Sequence, residues 1–213
     1  MRIFMRITEN EQEKRRNTMI HTAYDLFYEY GIDGVSMSQL AQASNLSRNS
    51  IFRYFKTKAE LVQCTQIILW QEMISCILTN NLSQLKNSKN GLEQVKHLLF
   101  SFKDLYKNHS KYLLFAVDYK LFLVRNNIVL SENQSHTLMV PIVEAFCSAL
   151  EKGHSDGSIN NLDSTEAQFF LAWSLLRSFV TEIVIYDKTH SGINPWERQF
   201  EFILCKILNM LEA

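Results

Sequence analysis

A chain of 213 residues with 46% hydrophobic side chains can bury the core of one or two domains, and 2 prolines and 6 glycines are too few for the turns of a many-stranded sandwich. Its 22 Lys+Arg balance 22 Asp+Glu, and residues 1–60 hold nine basic against seven acidic side chains. Bulk charge therefore excludes a polycationic coat for nucleic acid and leaves any such role to the placement of individual charges.

Cys64, Cys76, Cys147 and Cys205 are widely spaced without a CxxC pair, which points to reduced thiols rather than a disulfide framework. Residues 1–20 are charged throughout, and no run approaches the roughly 20 apolar residues of a membrane span, so a soluble cytoplasmic protein is expected.

In chain order, helix starts recur. A Ser, Thr, Asp or Asn followed three residues later by Glu or Gln can cap the free N–H groups of a first turn reciprocally. The pattern occurs at Thr8/Glu11, Ser36/Gln39, Thr57/Glu60, Asn90/Glu93, Ser131/Gln134, Asp163/Glu166 and Asn194/Glu197, where Pro195 suits a first helical position. The first helix spans roughly 8–30, with Ile20, Ala23, Tyr24 and Phe27 at helical spacing and Gly31 as its C-terminal stop. Two short helices follow near 37–44 and 48–54, then a long one from Lys58 to about Leu78. The polar stretch Thr79–Asn90 reads as a loop. Further helices fall near 91–107, 111–125, 133–152, 163–187 and 195–212, with Pro141 predicting a kink or a late start in its helix. The fold class is all-α.

The segment from Val35 to Phe55 carries the most specific pattern. Leu40, Ala41 and Leu46 from the first short helix and its turn, and Ile51 and Phe55 from the second, would close a three-helix core with Ala23 and Phe27. Ala41 leaves room for a close helix crossing, Asn45 tolerates a left-handed turn, and Ser47 caps the second short helix. The outward face of that helix presents Arg48, Asn49, Ser50, Phe52, Arg53 and Tyr54. Arg pairs with guanine, Asn with adenine, and Ser serves either in a major groove. Lys58, beginning the next helix, is placed to hold a phosphate.

From about Arg16 to Val62 the chain resembles the TetR/AcrR family of regulators, through Ala23, Leu26-Phe27, Gly31, Leu40-Ala41, Ser47, Ile51, Tyr54-Phe55, Lys58, Glu60 and Leu61. The resemblance implies an N-terminal helix-turn-helix DNA-binding domain at 1–62, a connecting helix at 57–78, and a helical ligand-binding and dimerisation domain at 63–213. It further implies a homodimeric repressor that binds a pseudo-palindromic operator on the bacterial nucleoid and is released by a small apolar effector, with no cofactor or metal. By the same likeness Ser36 and Ser38 touch the DNA backbone; with Gln39, Ser47, Arg48, Asn49, Ser50, Phe52, Arg53, Tyr54 and Lys58 they form the candidate DNA-binding set. Asn45 and Asn49 stand where the family often has Gly, and Phe52 where it usually has Tyr, so the phosphate contact of that hydroxyl is missing.

The last two helices carry apolar stripes, and the family's dimer interface maps onto Phe179, Ile183, Trp196, Phe200, Ile203 and Ile207. Aromatics crowd the middle of the chain, and Trp70, Phe102, Tyr106, Phe115, Tyr119, Phe122 and Trp173 are the candidate lining of an apolar effector pocket. The histidines are scattered without HExxH or Cys/His ligand spacing, and His154-Ser155-Asp156 reads as a solvated loop rather than a triad. A regulator controlled by a protein partner and a helical enzyme are the alternatives.

Overall fold

The structure, a computed structural model, describes residues 9–130, 132–161, 163–190 and 196–212. Among these, all regular structure is helical: α1 (Glu9–Tyr30), α2 (Met37–Ala43), α3 (Arg48–Tyr54), α4 (Lys58–Ile77), α5 (Leu82–Asn87), α6 (Gly91–Asn108), α7 (Ser110–Arg125), α8 (Glu132–Asp156), α9 (Thr165–Thr189) and α10 (Trp196–Glu212). The Thr8/Glu11, Ser131/Gln134 and Asn194/Glu197 caps each involve a position outside the described residues, as do Pro195 and Gly192.

Three expectations change. The stretch 79–90 is not a plain loop: a 3-10 turn at Thr79–Asn81 leads into α5, and the Gln94 side-chain amide donates to the Leu85 carbonyl at 3.0 Å. The cap of α9 is Ser164 rather than Asp163, its hydroxyl accepting from the Ala167 N–H at 3.2 Å. Residues 154–156 are not a solvated loop but the last turn of α8, and Pro141 lies inside that helix, not before a late start.

The chain forms two compact units: residues up to Leu69 with Asp118–Ile128, and Trp70–Val117 with the chain from Val129 onward. In the first unit Ala23, Phe27, Leu40, Ala41, Ile51 and Phe55 are all buried, and Leu46 is partly buried. The segment from α7 belongs here because Asp118 Oδ2 accepts from the Ile32 N–H at 2.7 Å, in the α1–α2 turn where Gly31 takes φ +75°. Arg125 pairs with Asp33 at 2.9 Å and with Asp118 at 3.3 Å. Asp118→Ala strands the Ile32 N–H, so about 1–3 kcal/mol of stability should be lost. Denaturant unfolding should show this, with Asp118→Asn recovering part of it through its retained carbonyl oxygen.

In the second unit α6 packs against α8, α9 and α10. Its N-terminus is closed from outside: the Gly91 N–H donates to Asp156 Oδ2 at 2.8 Å and the Leu92 N–H to Ser158 Oγ at 3.1 Å. The Ser158 hydroxyl and the backbone N–H groups of Gly91 and Ser158 hold the Asp156 carboxyl below its ordinary range. Trp173 packs edge-to-face with Phe102 and at a tilt against Phe169, within a core that includes Leu98, Leu99, Phe146, Leu176 and Phe200. The stretches Lys58–Asn87 and Thr165–Thr189 are long and apolar enough to cross a membrane by length and composition alone. Many of their apolar side chains supply core instead, among them Leu61, Val62, Met73 and Ile77, and Phe169, Leu176 and Val180.

Candidate nucleic-acid interface

Local rules build the α2–turn–α3 segment. Ser36 and Gln39 form a full capping box: the Gln39 N–H donates to Ser36 Oγ at 3.3 Å, and the Ser36 N–H to Gln39 Oε1 at 2.8 Å. The turn closes through Asn45 at φ 54°, and the Leu46 N–H donates to the Ala41 carbonyl at 2.8 Å. Ser47 then accepts from the Ser50 N–H at 3.1 Å and opens α3. Ile51 at 0% exposure anchors the inner face of α3, which turns Arg48, Asn49, Phe52 and Arg53 to solvent. Ser36, Ser38, Gln39 and Ser47 are exposed as well, whereas Ser50 and Tyr54 are half-buried.

Electrostatics reinforce the geometry. From Gly34 to Ala59 the chain holds Arg48, Arg53, Lys56 and Lys58 and no carboxylate. The Arg48 guanidinium lies over the Phe52 ring at 5.8 Å, which orients it along the outer face of the helix. None of the ion pairs among the described residues involves Arg48 or Arg53. Lys56 is a further exposed cation that the residue-by-residue reading missed; the carboxylate-free run was its signal.

Lys58 sits differently. Its ammonium lies over the Phe27 ring at 5.8 Å and is half-buried. Burial pushes its pKa down, against the pull of Asp33 and Asp118 upward. It is thus shared between the protein's own carboxylates and any phosphate that approaches the start of α4.

Such a surface, a short cationic helix held by a capped turn on a three-helix core, is what a major-groove reader requires. Residues 19–64 match the bacterial regulatory proteins of the tetR family. That match covers the helix-turn-helix segment, from the second half of α1 into α4. The fold is similar along nearly the full length of the chain to that of the fatty acid degradation regulator FadR from Bacillus halodurans, with a TM-score of 0.62 at 18% identity over 91% of this chain and 94% of the other. FadR from Bacillus subtilis, in complex with stearoyl-CoA, gives 0.62 at 14% identity over 91% and 98%. AibR, in complex with isovaleryl coenzyme A and operator DNA, gives 0.56 at 16% over 92% and 97%.

The other two residue sets are placed as follows. Phe102, Phe115 and Trp173 are buried in the second unit, where Trp70 is half-buried; Tyr119 and Phe122 are buried in the first, where the Tyr119 hydroxyl donates to Gln66 at 3.1 Å. Tyr106 lies tilted against Trp196, ring centroids 4.0 Å apart, and lines a cavity of about 500 Å³ with Lys107, Asp187 and Lys188. The six residues expected at the dimer interface differ in burial within the single chain. Ile183, Phe200 and Ile207 are buried in the protomer's own core, while Phe179, Trp196 and Ile203 are half-buried. The exposed apolar side chains are instead Phe170, Leu171 and Leu175 on α9, and Phe202 and Met210 on α10.

Proposed function

We propose that the chain is a transcriptional repressor that grips a pseudo-palindromic operator as a homodimer and lets go when a small, largely apolar effector binds. The observation that carries this reading is the exposed, unpaired Arg48 and Arg53 beside Asn49 on a helix in a stretch without carboxylates. Two-fold symmetry supplies two such helices, and half-site centres then lie about 34–36 Å or a multiple apart. Dimerisation through α9 and α10 draws support from α9 itself: it is apolar enough to cross a membrane by composition, yet well under half of its apolar stretch is buried within one chain. The stearoyl-CoA and isovaleryl coenzyme A bound by FadR and AibR make an acyl thioester the first effector class to try. Because Phe102, Phe169 and Trp173 fill their own space, an apolar tail would enter that core by parting them.

The test begins with genomic fragments captured by the protein and ends with anisotropy titrations on the enriched sequence, with and without acyl-CoAs of graded chain length. Arg48→Ala and Asn49→Ala should each lose on the order of 1–3 kcal/mol on the preferred site and relax its specificity. Unchanged operator affinity in both variants would remove α3 as the reading helix. Equal operator affinity at every acyl-CoA concentration would remove that effector class but leave the DNA reading intact.

A further inference from the structure

The second unit brings together three side chains that no sequence spacing links: Cys76 near the end of α4, Asp104 in the last turns of α6, and His109 at the α6–α7 corner. One ligand atom from each lies within 4.8 Å of the other two. Cys76 Sγ is already 3.5 Å from Asp104 Oδ2. Tetrahedral Zn²⁺ with bonds near 2.3 Å to sulfur and near 2.0–2.1 Å to nitrogen or oxygen requires ligand-to-ligand edges of about 3.3–3.6 Å. One edge is thus at the required length, and the imidazole has about an ångström to close.

We propose that Cys76, Asp104 and His109 form a binding site for a divalent transition metal of the Zn²⁺ or Co²⁺ type, with the fourth position left to water or an exogenous ligand. The charge balance suits the surroundings: one thiolate and one carboxylate neutralise a dication where Cys76 is buried and the other two are half-buried. Soft sulfur beside imidazole and carboxylate selects these metals over Mg²⁺ or Ca²⁺.

The surrounding bonds already fix the donors. The Asn108 side-chain amide donates to Asp104 Oδ1 and leaves Oδ2 facing the sulfur. Asn81 donates to the Cys76 and Ile77 carbonyls at 3.1 and 3.0 Å, which pins the end of α4. The His109 backbone N–H donates to the Leu105 carbonyl at 3.0 Å and fixes the main chain that carries the imidazole. Without metal the thiol donates to the carboxylate, and burial together with that carboxylate raises the Cys76 pKa to about 12. Metal binding breaks the S–H bond, forms the metal–sulfur bond, and releases one proton to solvent per ion bound.

The experiment titrates the reduced, full-length chain with Co²⁺ and follows the thiolate-to-cobalt charge-transfer absorption, with proton release measured in parallel. The expected result is one Co²⁺ per chain, displaced by Zn²⁺. Cys76→Ser should lose the charge-transfer band, and Cys205→Ser, at the exposed thiol, should keep it. His109→Ala, at a half-exposed corner that leaves the core untouched, should weaken binding at least tenfold, and Asn108→Ala by about ten- to a hundredfold. A wild-type chain without the band under excess Co²⁺, or a band that survives in Cys76→Ser or keeps full affinity in His109→Ala, overturns the site. Metal binding is read without DNA, so these outcomes are independent of whether α3 holds an operator.

Discussion

Gly91→Ala should lower the melting temperature by roughly 6–12 °C, because a methyl group at this position has nowhere to go. An ideal Cβ on Gly91 would lie 2.0 Å from the Gly153 nitrogen, 2.4 Å from the Gly153 Cα and 2.5 Å from the Ala149 carbonyl oxygen. All three atoms are backbone of α8, so no rotamer change relieves the clash and α6 must move bodily. Overpacking of a tight core costs about 1–3 kcal/mol and more where nothing yields. Moving α6 also stretches the Gly91 bond to Asp156 and the Leu92 bond to Ser158, each about 0.5–3 kcal/mol.

The helix-forming advantage of alanine, at most about 1 kcal/mol in a helix interior, is smaller at the first helical position and does not offset this. A net loss near 3 kcal/mol, at about 2–4 °C per kcal/mol for a chain of this size, gives the stated shift. Gly157→Ala is the control. Unlike Gly91 it sits at positive φ, +74°, and nothing lies within 4 Å of its Cβ, so only backbone strain of about 1–2 kcal/mol should appear. Thermal unfolding by circular dichroism separates the two, and equal melting of Gly91→Ala and wild type would contradict the close approach.

The second large effect belongs to the exposed stripe of the terminal helices. The double substitution Leu175→Asp with Phe202→Asp should convert a dimer into a folded monomer that no longer holds operator tightly. Phe202 is 63% exposed and Leu175 44% exposed in the single chain, so neither change disturbs the protomer's core. Leu171 and Met210 line one cavity of about 220 Å³, which places the α9 and α10 stripes side by side.

In a two-fold interface each substitution occurs twice, so four carboxylates would have to be buried without partners. Even at about 2 kcal/mol each this approaches 8 kcal/mol, or nearly six decades in Kd. Light scattering should show the mass halved, with helical content and melting retained, and the operator complex lost. Phe200→Asp is the contrast: at 0% exposure it is core, and the chain itself should unfold. A double variant that stays dimeric would move the interface elsewhere.

What the sequence determines by itself is whatever is settled within about four residues. The Ser36/Gln39 box, the Ser47 cap and the left-handed Asn45 are each decided by a side chain reaching its own neighbouring backbone, so the α2–turn–α3 unit and its outward cations are legible without coordinates. The run without carboxylates from Gly34 to Ala59 is equally a property of the string.

The tertiary structure decides what depends on partners far along the chain. Helix α5 lacks a side-chain cap of its own and packs against α6, so its polar sequence reads as a loop. Helix α9 is apolar around much of its circumference, and periodicity alone cannot say which side faces the core. Phe200 is buried and Phe202 exposed for a related reason, because two apolar residues two apart on α10 point to different faces. Asp118 looks like an ordinary surface charge until the fold sets it against an N–H 86 residues away. Cys76, Asp104 and His109 likewise share no motif, because their proximity is made by where α4 ends and α6 turns into α7, and helix packing fixes that point.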